Sequence, residues 1–351
     1  MANSNAKYLI LSFDGGGIRG LISAMILQAI NNQFPNFLRS ANLFAGTSTG
    51  SFIALALADR VTPDKLVTLY STQGQNIFKV YSEFDTYEYV AYYNTGVYQA
   101  VSDTVKNPQS TLAMLARTNP RQRVLVTTFQ LYSPQTQRWM PLALHNLPYS
   151  DSAANTTLID AAMSSSAAQT YFQPYQHPYY GYCVDGGTVS NNPATLALSM
   201  AIDPKLAKIP IENVWMLSLG TGITPDSIPD SVINSNGPMS YGVQNWMWPF
   251  QDGSTPQLPL MAAMFDGVSD IDSYQCQQFI GNRFQRADVP LAAPYALDDW
   301  QDIGTLQAAV NSYLGKNGNM PSQNWTDVKK WISNNFGSSV TKAKTQRTTQ
   351  A

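Results

Sequence analysis

The sequence predicts an α/β protein in three layers, a mostly parallel central sheet with helices on both faces, and three observations predict it. Lys7 to Phe13 (KYLILSF) is an apolar run of strand length that ends in a glycine turn, Asp14 to Gly20 (DGGGIRG). Behind the turn, Ile18, Leu21, Ile22, Met25, Ile26, Ala29 and Ile30 recur at helical spacing and form one apolar stripe. A second apolar run then meets the small-residue turn Phe44-Ala45-Gly46-Thr47-Ser48-Thr49-Gly50 and the helical run Phe52 to Ala58. Strand, turn and helix twice in succession make a βαβα start, which sets a parallel sheet and gathers ligands at the C-terminal ends of its strands.

The rest of the chain continues in the same idiom. Thr62 to Tyr70 opens a helix with Pro63 suited to its first turn. Phe78 to Tyr98 is crowded with tyrosines and carries no clear period. Arg123 to Gln130 and Arg138 to Leu144 read as paired strands around Ser133-Pro134, and Leu158 to Ala168 as a helix of small residues. Val184 ends a short strand at Asp185-Gly186-Gly187, with Ser190 and Asn191 as caps for a helix holding Pro193 in its first turn. Val214 to Leu219 is a buried strand ending in Gly220-Thr221-Gly222. Gly222 to Pro259 is a long connection rich in Pro and Gly. It contains Trp246, Met247, Trp248 and Phe250, which serve either lipid access or as a plug beneath the loop. Helices resume from Leu260, near Leu306 to Leu314 and near Trp325 to Phe336. One domain is expected over residues 1–337, followed by a polar tail, 338–351, and there is no internal repeat.

Composition narrows the function. Of 351 residues, 44% are hydrophobic and only 13% charged, with a net charge of −2. The basic stripe that nucleic acid requires is missing, so any contact with a membrane is apolar or aromatic and transient. Cys183 and Cys276 are too few for a disulfide framework and read as free thiols. Tyr8 to Phe13 is too short for the core of a signal peptide and no apolar run reaches spanning length, so the default compartment is the cytoplasm, although export without a signal leaves no mark.

Gly46-Thr47-Ser48-Thr49-Gly50 fits G-x-S-x-G, the nucleophile elbow, in which a serine sits on a sharp strand-to-helix turn and its neighbours two residues away must be small. Ser48 is the candidate nucleophile. The successive N–H groups of Gly15, Gly16 and Gly17, ahead of the first helix, suit a developing oxyanion. The same turn lacks the Gly-Lys-Ser/Thr ending of a phosphate loop. Only His145 and His177 are available as histidine bases, and a triad would need His177 with Asp151 or Asp160. The other candidate is a carboxylate, Asp185, at a strand end beside glycines like Ser48 itself. Aspartate is the weaker base by roughly 2.6 pH units, so its site must raise its basicity by burial.

DGGGIRG, GTSTG and DGG in this order resemble the patatin-like phospholipase family, and so do LFAGTSTGSFIALAL, SSSAAQTYF at Ser164 to Phe172, DGGTVSNNP at Asp185 to Pro193 and LSLGTG at Leu217 to Gly222. The likeness covers about residues 7–314. It implies a Ser48–Asp185 dyad without histidine and an oxyanion hole at Gly15, Gly16 and Gly17. Asp14, Arg19, Gly20, Gly46, Gly50, Gly186 and Gly187 belong to the supporting motifs, with Arg19 read either as a structural ion pair or as a substrate contact. The implied activity is lipid acyl hydrolysis of the phospholipase A or lysophospholipase type, without metal or cofactor. Neutral-lipid lipase, carboxylesterase and acyltransferase chemistry use the same parts, and a storage or interaction protein with incidental esterase activity is the non-enzymatic alternative.

Overall fold

A computed structural model describes residues 6–81, 88–148, 152–247, 256, 258–316 and 318–337. Among them eight strands form one sheet: β1 (Tyr8–Phe13), β2 (Ala41–Gly46), β3 (Arg123–Ser133), β4 (Arg138–His145), β5 (Tyr175–His177), β6 (Gly181–Asp185), β7 (Val214–Leu219) and β8 (Phe284–Ala287), in the order β5-β6-β3-β2-β1-β7-β8 with β4 also on β3. The pairs β1–β2, β1–β7, β2–β3 and β7–β8 are parallel. Those of β3 with β4 and β6, and of β5 with β6, are antiparallel.

Alternation along β1 divides the layers. Leu9, Leu11 and Phe13 face one core with the helices Gly20–Gln33, Thr49–Ala58, Ile303–Leu314 and Gln323–Phe336, while Ile10 faces the other with Leu43, Leu125 and the helices Ala194–Ile202 and Ser269–Ile280. Both faces of the central strands are therefore covered, which is why they read as unbroken apolar runs. Cys183 and Cys276 are buried free thiols.

One feature of the register positions the site. β4 pairs with β3 from Leu125 to Ser133, so β2 and β6 must both use the opposite edge of β3. They do so end to end: β2 stops with Gly46 opposite Val126, and β6, arriving from the other direction, stops with Asp185 opposite Thr128. The two chain ends that carry Ser48 and Asp185 converge on neighbouring residues of a single strand.

Some boundaries differ from expectation for local reasons. The helix from Pro63 runs on to Ile77, and Pro193 caps the helix Ala194–Ile202 rather than lying inside it. The tyrosine-rich stretch makes isolated bridges, Val80 to Tyr92 and Tyr92 to Phe172, before the helix Asn94–Thr104. The connection after Gly222 holds two short helices, Asp230–Asn236 and Val243–Met247. Strand β8 has only four residues, Phe284 to Ala287, too few to show a period. The tail 338–351 lies outside the described residues.

Candidate active site

The turn from β2 into the helix Thr49–Ala58 holds Ser48 at φ 51° and ψ −122°, a conformation that side-chain-bearing residues rarely adopt. The glycines on either side permit it. A Cβ on Gly46 would lie 2.1 Å from the Gly50 carbonyl oxygen, and one on Gly50 would lie 2.2 Å from that of Phe13. The sharpness of the turn leaves the Ser48 hydroxyl at the top of the sheet, and its N–H donates to Ser165 Oγ at 2.8 Å.

Ser48 Oγ donates to Asp185 Oδ2 at 2.6 Å. The other carboxylate oxygen accepts the Gly187 N–H at 2.7 Å, which fixes the plane of the group. Asp185 is almost fully buried, and burial pushes its carboxyl up to about 7, against the opposing pull of the bonds from Ser48 and Gly187. The segment after the helix Leu158–Ser165 braces both partners. Ser165 supports Ser48 through its side chain and Gly186 through its carbonyl, and Ala167 accepts the Asp185 N–H.

The glycine turn lies against the elbow: a Cβ on Gly15 would come within 3.3 Å of Ser48 Cβ. The three glycines are not equivalent. Gly15 donates its N–H to the Asn191 carbonyl and receives Thr221 Oγ1 on its own carbonyl, so its donor is already engaged. The N–H groups of Gly16 and Gly17 have no protein partner among the described residues, and neither does that of Thr49 at the start of the elbow helix. Gly17 takes φ 57°, and a Cβ there would strike the Leu297 carbonyl at 2.1 Å.

The supporting motif residues hold this turn in place. Asp14 pairs with Arg286, which also binds Asp288 and Ser218. Burial works against the charge on Arg286, but the two carboxylates outweigh it and raise its pKa. Arg19 is wholly buried and grips both oxygens of Asp266 at 2.8 and 2.9 Å, a structural ion pair that ties the turn to the helix Pro259–Phe265. Gly20 packs under Thr49 and Tyr70, Gly186 on Thr127, and Gly187 beside Phe265.

Ser48 opens onto a narrow apolar pocket lined by Ile18, Phe52, Phe78, Val97, Phe172 and Leu297. A second cavity, of about 440 Å³, lies beyond the glycine turn and is lined by Asp14, Asp266, Arg286, Asp288 and Trp246. Trp246 also packs edge-on against Tyr241, and Met247 ends its short helix. Trp248 and Phe250 lie outside the described residues.

Neither histidine bonds to Ser48 or Asp185. His177 is buried against Thr156 and accepts the Tyr179 N–H, and burial lowers its pKa to about 4, so it stays neutral. His145 Nδ1 accepts the Leu147 N–H. Asp160, the described acid of the alternative triad, is taken up by Thr157 and Tyr175; Asp151 lies outside the described residues. His177→Gln is accordingly expected to keep most of its kcat, as is His145→Gln, in an assay of ester hydrolysis. A loss like that of Ser48→Ala would restore a triad.

A family model described as Patatin-like phospholipase matches residues 11–198, a span that contains the glycine turn, the elbow and Asp185. The chain belongs to the patatin-like phospholipase family. CotR of Bacillus subtilis is 29% identical to this patatin-like chain over 81% of it and 87% of its own length. The cGAMP-activated phospholipase of Vibrio cholerae is 30% identical over 62% of this chain and 67% of its own. Patatin-2-Kuras 4 of Solanum tuberosum is 26% identical over 69% of each. The patatin-like core thus spans β1 to the helix Ala194–Ile202, and β7 and β8 with Arg286 lie past the matched residues.

Proposed function

We propose that the protein is a lipid acyl hydrolase of the phospholipase A or lysophospholipase type, working through Ser48 and Asp185. The observation that carries the reading is the 2.6 Å bond from Ser48 Oγ to a buried carboxylate at the mouth of an apolar pocket. Ser48 Oγ attacks the ester carbonyl as its proton passes to Asp185 Oδ2. The carbonyl oxygen gains the negative charge and is met by the free N–H groups of Gly16 and Gly17, with that of Thr49 at the helix N-terminus. Gly15, its N–H engaged by Asn191, holds the turn rather than the oxyanion. The intermediate collapses, the alcohol leaves with the proton from Asp185, and the acyl chain stays on Ser48. Water then attacks the acyl-enzyme with Asp185 as base, releasing the fatty acid and restoring the hydroxyl.

A pocket bounded by Ile18, Phe52, Phe78 and Phe172 suits a hydrocarbon chain and offers no charge to a polar one. The test is mass spectrometry of products from mixed phospholipids, lysophospholipids, galactolipids and triglycerides. Free fatty acid from the phospholipids is expected. Acyl transfer without net release, or turnover of triglyceride alone, would reassign the substrate.

The titration of Asp185 makes a second prediction. The base must be ionised, and burial holds its pKa near 7, so kcat/KM is expected to rise through about pH 7 and then level off. A profile flat down to pH 5 would mean that the base is ionised at the usual carboxylate pH.

A further inference from the structure

The strand on which Ser48 and Asp185 converge does not stop there. Past Thr128, β3 continues with β4, β6 and β5 as an antiparallel flap that projects beyond the level of the dyad, since Asp185 pairs with Thr128, Cys183 with Gln130 and Tyr175 with Cys183. On this flap Tyr132, Trp139, Tyr179 and Tyr182 are 56%, 70%, 61% and 55% exposed. Tyr132, Tyr179 and Tyr182 line an open groove of about 520 Å³ together with Leu131, Pro134, Pro174 and Tyr180.

The chain links this surface to the pocket at Ser48 within two residues. Pro174 follows Phe172, a wall of that pocket, and Phe172 bridges to Tyr92, whose ring lies 5.8 Å from it. Tyr92 is flanked in turn by Tyr93, which packs edge-on against the exposed Tyr81 at 5.0 Å. Phe172 lines the acyl pocket and Tyr81 and Tyr93 are exposed, so aromatic rings stand at both ends of this stretch.

We infer that this flap, with the tyrosine bridge beside it, is the surface that seats the protein on an electrically neutral phospholipid interface. The inference rests on the acyl-hydrolase reading for its substrate but not for its geometry. Tyrosine and tryptophan suit the headgroup level because each carries an apolar ring and a polar group that stays hydrated. A contiguous exposed patch of such residues at the end of the sheet that holds the nucleophile is what interfacial docking requires. The chain has 13% charged residues and a net charge of −2, so attraction to anionic lipid contributes little, and ring insertion carries the contact.

The experiment uses the full chain with Ser48→Ala, which keeps the lipid intact, and phosphatidylcholine vesicles. Cosedimentation should be retained in 0.5 M salt and fall at least about tenfold when Tyr132, Trp139, Tyr179 and Tyr182 are together changed to serine, with circular dichroism to check folding. A less disruptive arm compares the chain with its Trp139→Phe variant on vesicles of brominated phosphatidylcholine. The emission difference between the two, which belongs to Trp139, should be quenched on binding. Trp246→Ala should sediment like the parent. Unquenched Trp139, undiminished binding by the serine variant, failure to bind these vesicles, or a loss confined to Trp246→Ala would each overturn the inference. If vesicles bind through the flap but no lipid yields fatty acid, the surface stands and the acyl-hydrolase reading falls.

Discussion

Ser48→Ala and Asp185→Asn are each expected to lower ester hydrolysis by at least about 10²-fold while the protein stays folded, because in the proposed mechanism nucleophile and base act as one unit across the 2.6 Å bond. The two variants part company in stability. The Asp185 carboxyl titrates near 3.8 in an unfolded chain and near 7 in its buried site. Below both values the group is neutral in either state and imposes nothing. As pH rises through this window the unfolded chain ionises while the folded carboxyl keeps its proton, so folding loses stability, by about 4 kcal/mol once pH passes 7. Asp185→Asn removes that cost and keeps an acceptor for the Gly187 N–H. Its Tm should exceed that of the parent at pH 8 and match it near pH 4, when thermal melts are followed by circular dichroism. Near-normal turnover in either variant would dissolve the dyad, and a Tm difference independent of pH would remove burial as the source of the base's strength.

Arg286→Met is expected to destabilise the protein by about 3–5 kcal/mol, because it leaves Asp14 a buried carboxylate without its cation, beside a second carboxylate, Asp288. The effect should grow with pH as Asp14, whose carboxyl burial pushes up to about 7, ionises, and activity should fall with it, since Asp14 anchors the glycine turn proposed to hold the oxyanion. Urea titration at pH 6 and pH 8 measures the stability directly. A loss under about 1 kcal/mol at both would show the ion pair to be incidental.

Much of the site was legible because its chemistry is written in local backbone demands. An elbow serine needs small residues two positions either way, and Gly46 and Gly50 stand there. Oxyanion donors need amides without side chains, and the glycine turn supplies them. Asp185 announced itself by position, at a strand end beside glycines. What the sequence could not express is non-local. Arg286 lies 272 residues from Asp14 and in a strand of four residues, with no periodicity to expose it. That β2 and β6 share one edge of β3 depends on which strands pair, and pairing across long separations leaves no trace in either strand. The engagement of the Gly15 N–H by Asn191 follows from that same assembly, and it leaves the N–H groups of Gly16 and Gly17 as the unengaged pair of the glycine turn among the described residues. Arg19 was ambiguous between ion pair and substrate contact until Asp266 came to meet it. The tryptophan segment read equally as plug or surface: Trp246 lines a cavity beside Arg286, and Trp248 and Phe250 lie outside the described residues, while the exposed aromatic flap comes from residues scattered over β3, β4, β6 and the β5–β6 turn.

If Ser48 is a nucleophile activated by Asp185, it should react with a phosphorus ester that mimics the acyl carbonyl. Labelling with a fluorophosphonate followed by peptide mass spectrometry tests it most directly. A single stoichiometric adduct on Ser48 is expected, absent from Ser48→Ala and formed at least about 10²-fold more slowly in Asp185→Asn. An adduct on another residue, or labelling of Ser48 at an unchanged rate once Asp185 is replaced, would contradict it.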